Sequence, residues 1–417
     1  MKFKKEILLL LISSSIAITF SVALGEIYVW FINKSNWATN GARHDRELGW
    51  VLTPNNTFET HGRISTINSL GFRSPEIDSS RKHVIIVGDS VAFGLGLGDR
   101  ETLSHYLANQ LKEFQVLNFS VPGYSIDQYY LTLKKHINKT NPALIVVVIF
   151  TGNDIQETRK DNLFGIGKPW FKIKGSSMKV INDSTSRFSC TNLLSRSWTV
   201  GILGLKNLVG KICKNNEYHG TNAIIQMEKI LLKIEKLASS KKAGLLFVLS
   251  PTIYDYYQEG LNCSSQESQD ACFILRKNMQ EMLLTKAKNI RKNNKNNLFR
   301  TIPGIKTFRT MSLSIKKTIQ KLSLPHLDML TLNTKLKRNV INDYNGADPF
   351  HLSSAGNHHL TEVIRILKER FDRLKINKNL KIKYKNKFLK KEKKLFYKSI
   401  HSRKLKFCTD KFFNKEV

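Results

Sequence analysis

Residues 143–150 run Ala-Leu-Ile-Val-Val-Val-Ile-Phe without one polar side chain. Successive side chains of a strand point to opposite faces, so a strand of this composition must be covered on both. That requirement points to the interior of a parallel sheet with helices on either side. Shorter apolar runs at His83–Val87, Val116–Phe119 and Gly244–Leu249 read as companion strands, and Leu324–Leu332 as the last one. Between them lie stretches of helical spacing: Thr102–Leu111, with Leu103, Leu107 and Leu111 on one face, then Ile126–Ile137, Met227–Leu237 and a final helix within Gly356–Leu374. Strands alternating with helices predict an α/β three-layer sandwich around a central parallel sheet.

The chain has 417 residues and a hydrophobic content of 41%, which supports a large core. Its 67 Lys and Arg against 33 Asp and Glu give a formal net charge of +34. Such an excess bears on solubility and on anionic neighbours rather than on fold. Lys2, Lys4 and Lys5 precede an apolar run from Ile7 to Leu24, about the length that crosses a hydrocarbon core. Two readings stand. A cleaved signal peptide would use small residues such as Ala23 and Gly25. An uncleaved anchor, the favoured reading, would continue through Tyr28, Trp30 and Phe31 at the membrane interface. The basic flank then leaves the N-terminus in the cytoplasm and the remainder on the extracytoplasmic side, periplasmic or at the cell surface.

Residues 33–80 read as a polar, loop-like extension, and the body begins at Arg81. Residues 155–222 and 255–310 interrupt the alternation as long insertions, of the kind that form lids or disordered segments. From residue 375 to 417 the chain is a Lys-rich tail, either a solvated segment or a basic surface for an anionic polymer or lipid. Cys190, Cys213, Cys263, Cys272 and Cys408 form no CxxC or zinc-ligand pattern, so no metal site is expected. In an exported body Cys263 with Cys272, and Cys190 with Cys213, either close short loops or stay as thiols. No nucleic-acid-binding motif is present, and nucleic acid is not an expected partner.

Four short segments carry chemistry. Gly88-Asp89-Ser90 ends the first strand, and Val121-Pro122-Gly123-Tyr124 follows the second. Thr151-Gly152-Asn153-Asp154 ends the most apolar strand, and Asp348-Pro349-Phe350-His351 precedes the final helix. In open α/β sheets sites form beyond the carboxyl ends of strands. A serine there suits a nucleophile, and a glycine lets a backbone N–H approach a ligand. An asparagine amide there can serve an oxyanion, or simply an Asx turn or helix cap. Asp348 and His351, three residues apart, suit a base and its orienting carboxylate. His358 and His359 read as surface positions of the final helix, and His326 with Asp328 as a weaker alternative pair.

Together the segments resemble the four blocks of the SGNH hydrolases, the GDSL esterase/lipase superfamily, in the family's order, across roughly residues 81–372. Leu352-Ser353-Ser354-Ala355-Gly356 continues the last block. Upstream, Leu48-Gly49-Trp50 with Pro54-Asn55, and Asn68-Ser69-Leu70-Gly71-Phe72-Arg73, resemble the lead-in of membrane-anchored bacterial members. The resemblance implies a flavodoxin-like sheet and a Ser90–His351–Asp348 triad. It implies oxyanion donors from Ser90, Gly123 and Asn153, and no metal or organic cofactor. It implies an ester substrate, such as acyl groups on cell-surface glycans, with a lipid ester as the alternative and a silent envelope binding protein as the rival from another class. The expected organisation is an anchor at 1–32, an extension at 33–80, the catalytic domain at 81–374 and the tail at 375–417.

Overall fold

The computed structural model describes residues 2–32, 41–60, 62–163, 166–175, 177–182, 185, 223–252, 255, 305–335, 343–345 and 348–376. All five cysteines, the tail beyond 376 and most of both insertions lie outside the described residues. In chain order the elements begin with helix α1 (Lys2–Ile32) and two hairpins, β1 (Ala42–Asp45) with β2 (Gly49–Leu52) and β3 (Thr57–Thr60) with β4 (Arg63–Thr66). Next come β5 (His83–Val87), α2 (Ser90–Phe93), α3 (Leu103–Gln110), β6 (Gln115–Asn118), α4 (Ile126–His136), β7 (Pro142–Phe150) and α5 (Asp154–Glu157). The first insertion contributes β8 (Asn162–Leu163), β9 (Ile166–Gly167), β10 (Trp170–Lys174) and β11 (Ser177–Ile181). The chain continues with α6 (Ala223–Ser240), β12 (Gly244–Ser250), α7 (Ile305–Lys321), β13 (His326–Asp328), α8 (Met329–Lys335), β14 (Tyr344–Asn345), β15 (Asp348–Leu352) and α9 (Ser354–Ile376).

The central sheet has five parallel strands in the order β13-β12-β7-β5-β6. Numbered along the chain this is 2-1-3-4-5, the flavodoxin-like doubly wound order. The apolar run of β7 sits in the middle and is buried from Leu144 to Phe150, as its composition requires. Alternation sorts its side chains. Val146 and Val148 join Val84, Ile86, Leu103 and Leu107 of α3, and Leu360 and Ile364 of α9, on one face. Ile145, Val147 and Ile149 join Tyr129 of α4, Ile230 and Ile234 of α6, and Ile315 and Ile319 of α7, on the other. The result is the expected sandwich of helix, sheet and helix.

Two expectations are corrected. The last strand covers only His326–Asp328, and Met329–Lys335 is helix. Asp328 stops the strand by accepting from the Thr331 hydroxyl at 2.6 Å and the Thr331 N–H at 3.3 Å, a local pattern that starts a helix. Residues 42–66 are not loop-like but form the two hairpins, whereas 67–80 carry no helix or strand, and Leu48, Trp50, Leu52, Ile67 and Phe72 enter the main core. The Arg73 guanidinium, 4% exposed, ties this extension to the segment after α2. It donates to the carbonyls of Gly94 and Leu97, at 2.7 Å each, and to Asp99 Oδ1 at 2.8 Å.

The first insertion is anchored by a buried cation. Lys168 Nζ donates to Asp127 Oδ2 at 2.7 Å, Ser125 Oγ at 2.8 Å and the Glu157 carbonyl at 2.8 Å, with both charged side chains 0% exposed. A buried charge of this kind is tolerated only when it is paired and fully hydrogen-bonded. At the other end of the chain, Leu9–Tyr28 of α1 forms 20 residues long and apolar enough to cross a membrane or to serve as a signal sequence.

Candidate active site

The strand order reverses between β5 and β7, which is where open α/β sheets leave a crevice at the carboxyl edge. Ser90 follows β5 and Asn153 follows β7, so the two flank that crevice. Gly88 ends β5 where no side chain fits, since an added Cβ would stand 2.6 Å from Ala92 Cβ and 3.0 Å from the Val148 carbonyl oxygen. Asp89 caps α2 by accepting from the Val91 N–H at 2.9 Å. Ser90 is thereby the first residue of α2, half-buried, with a backbone N–H that donates to no acceptor among the described residues.

His351 arrives from the far end of the chain. It lies on β15, paired antiparallel with β14, and the hairpin is fastened to the sheet by the Tyr344 hydroxyl donating to the Pro251 carbonyl at 2.5 Å. The Ser353 N–H donates to the Asp343 carbonyl at 2.8 Å, and Gly356 lies against the same carbonyl with no room for a Cβ. These contacts bring His351 Nε2 to 2.7 Å from Ser90 Oγ, the separation of a hydroxyl donating to an imidazole. Asp348 begins the same strand, and its side chain lies outside the described residues.

The Asn153 side chain makes no cap to α5 although the residue occupies the cap position, and its buried Oδ1 has no partner among the described residues. The Asx-turn or cap alternative is therefore not realised by this side chain. Gly123 sits in a turn at φ 79°, a left-handed value that disfavours any other residue, and its N–H also donates to no acceptor among the described residues. The remaining candidates are elsewhere. Asp328 pairs with Lys316 at 2.6 Å, away from the serine. His358 is exposed as expected, whereas His359 is buried and lies 2.8 Å from Asn333 Oδ1 through Nε2, a correction to its surface reading. Position 359 falls on the face of α9 that packs on the sheet.

Beneath the serine and the asparagine lies a group of buried carboxyls. Asp154 accepts from the Tyr129 hydroxyl at 2.9 Å and from the Phe150 N–H at 2.8 Å, which closes the turn that presents Asn153. Burial, then the charge of Asp89, pushes Asp154 well above the carboxylate range. Burial pushes Asp89 up to about 6, against the opposing pull of the Val91 N–H and of His351. Glu157, also buried, is pushed up to about 7. The residues that hold the turns, Tyr129 and Trp50 among them, were not identified from sequence. Trp50 entered the sequence reading only as part of the Leu48-Gly49-Trp50 lead-in, with no role in the site.

The sheet order decides the fold type. The chain has the flavodoxin-like doubly wound α/β fold. No protein-family model matches the sequence, and no curated protein matches it. Among solved structures, the chain is similar to the acetyl xylan esterase AlAXEase at 13% identity, covering 69% of this chain and 98% of that one, with a TM-score of 0.32. It is similar to a member of the lipolytic protein G-D-S-L family from Veillonella parvula at 11% identity, covering 69% and 97%, with a TM-score of 0.34. It is also similar to the lipase/acylhydrolase from Enterococcus faecalis at 13% identity, covering 68% and 93%, with a TM-score of 0.33. At these TM-scores the likenesses decide nothing about chemistry, which rests on this chain's own residues.

The Asp89 carboxyl generates a pH prediction. An acid whose folded value lies above its unfolded one binds more protons folded than unfolded between the two. From the ordinary 3.8 to about 6, Asp89 therefore costs stability as pH rises, and the cost is complete above that window. Asp89→Asn keeps an oxygen for the cap and removes the charge. Relative to the parent, the variant should gain stability between about pH 4 and 6 and level off above it, by at most about 3 kcal/mol. Denaturant midpoints at pH 4, 5, 6 and 7 would show this, and an offset independent of pH would contradict it.

Proposed function

We propose that the chain is a serine esterase of the SGNH type, acting on carboxylic esters and able to pass the acyl group to water or to a sugar hydroxyl. The observation that carries the reading is the 2.7 Å approach of Ser90 Oγ to His351 Nε2, between residues 261 positions apart in sequence. A hydroxyl so placed can lose its proton to the imidazole as it attacks an ester carbonyl. His351 then hands that proton to the departing alcohol, and the acyl-enzyme is resolved by the second nucleophile. Asp348 is assigned to orient His351 and to stabilise its charged form. The Ser90 and Gly123 N–H groups and the Asn153 amide are assigned to the tetrahedral oxyanion. The Ser90 and Gly123 N–H groups donate to no backbone carbonyl among the described residues, and the Asn153 side chain makes no cap to α5, which supports this, because a donor already satisfied in the resting protein is not available to the transition state. No cofactor takes part in this scheme.

The proposed substrate class is acyl esters on cell-surface glycans, reached by a body that α1 tethers to the membrane on its extracytoplasmic side. Protease added to intact spheroplasts of expressing cells should degrade that body, and full protection would contradict the orientation. The chemistry itself is tested on a small soluble ester such as 4-nitrophenyl acetate. Ser90→Ala and His351→Ala should each remove nearly all turnover, and the double variant should be little worse, since the pair acts as a unit. Asn153→Ala should lower kcat by about 10²–10³. Turnover in Ser90→Ala equal to the parent would mean that another residue carries the reaction.

A further inference from the structure

The turn that presents Gly123 belongs to no helix or strand, and its conformation needs a separate cause. The Tyr124 N–H donates to the Val121 carbonyl at 3.1 Å, Pro122 holds the second position, and Gly123 holds the third at φ 79°. These are the features of a type II turn. Type I and type II turns differ by a rotation of the central peptide, here the one joining Pro122 to Gly123. That peptide is planar and trans, with its carbonyl and N–H on opposite edges. Whatever holds the Pro122 oxygen therefore sets the direction of the Gly123 N–H.

The group that holds it is Trp50. Its Nε1–H donates to the Pro122 carbonyl at 3.1 Å, and its Cζ2 stands 3.2 Å from where a Cβ on Gly123 would be. Trp50 is in turn fixed. It is 5% exposed, its carbonyl accepts from the Tyr124 hydroxyl at 2.5 Å, and the two rings meet edge to face at 5.5 Å. The Gln128 amide donates to the nearby Leu48 carbonyl at 2.8 Å, so α4 grips the same hairpin. On its other side the turn is joined to the serine loop, through the Val121 N–H donating to the Gly88 carbonyl at 3.2 Å.

We infer that Trp50 is a positioning residue for the ester chemistry. It locks the Pro122–Gly123 peptide in the orientation that turns the Gly123 N–H toward the oxyanion. The hairpin β1–β2 is then a working part of the active site, and not only a connection between the anchor and the catalytic sheet. The inference rests on the esterase reading of Ser90.

The test uses the full chain purified in detergent, with 4-nitrophenyl acetate as substrate and a fluorophosphonate as inactivator. Trp50→Phe keeps an aromatic ring and loses the N–H donor. An oxyanion donor is worth about 10²–10³ in rate, so disturbing its aim should lower kcat by about tenfold or more. KM should stay within about twofold, because the interaction belongs to the transition state. The rate of fluorophosphonate inactivation, in which Ser90 displaces fluoride through a pentacoordinate phosphorus centre with negative charge on its phosphoryl oxygen, should fall in parallel while the thermal midpoint stays near that of the parent. Tyr124→Phe, which frees the Trp50 carbonyl, should give a smaller fall of the same kind. If Trp50→Phe does not fold, benzothienylalanine at position 50 keeps the bicyclic shape without the N–H and should show the same split. An unchanged kcat and inactivation rate, or a raised KM at unchanged kcat, overturns the inference while Ser90→Ala remains inactive. Full activity in Ser90→Ala overturns the esterase reading itself, and the inference with it.

Discussion

The reversal of strand order at the centre of the parallel sheet is the constraint on which the rest depends. Connections leaving β5 and β7 run to opposite sides, so their carboxyl ends are left open to each other. β7 can occupy that central place because seven consecutive residues, Leu144 to Phe150, are buried apolar side chains on both faces. Each such side chain contributes about 1.5–3 kcal/mol relative to an exposed one, enough to make any other place for this strand unfavourable. Once β7 is central, Ser90 and Asn153 are brought to one crevice without any direct bond between them.

What the sheet does not supply is orientation, and that comes from polar groups beneath and beside the crevice. Asp89 caps the short helix of the nucleophile, and Asp154 closes the turn of the asparagine. Trp50 holds the glycine turn, and Tyr344 holds the hairpin of the histidine. Two of these groups, Asp89 and Asp154, are buried carboxyls raised above the carboxylate range, so the site is held at a cost in stability near neutral pH. Such strain on stability is common where side chains must be held for chemistry.

The legible part of this molecule was the part written in local signals. Strand ends marked by Gly88, Pro122 and Gly152 could be read because turn residues act over two or three positions, which singles out Ser90, Gly123 and Asn153, and Pro349 marks the turn that carries His351. The hairpins of the extension were misread because their strands are only four residues long and three of them, β1, β3 and β4, are rich in polar side chains. Their burial comes from Trp50, Leu52 and Phe72 meeting residues far along the chain, which no local pattern encodes. His359 was misplaced for the same reason, since its partner Asn333 lies on α8, 26 residues away. The shortened last strand reflects Asp328 turning to Thr331, a competition between strand and helix start that an apolar run alone does not reveal.

In the proposed reaction Ser90 attacks within the crevice, and its own N–H, the Gly123 N–H and the Asn153 amide meet the oxyanion that forms there. The most direct measurement is an experimental structure of the full chain after reaction with a fluorophosphonate. The expected result is a covalent phosphonate on Ser90 Oγ, its free oxygen within about 3 Å of the Ser90 N–H, the Gly123 N–H and the Asn153 Nδ2. A phosphonate on another residue, or one on Ser90 whose oxygen faces solvent away from Gly123 and Asn153, would contradict it.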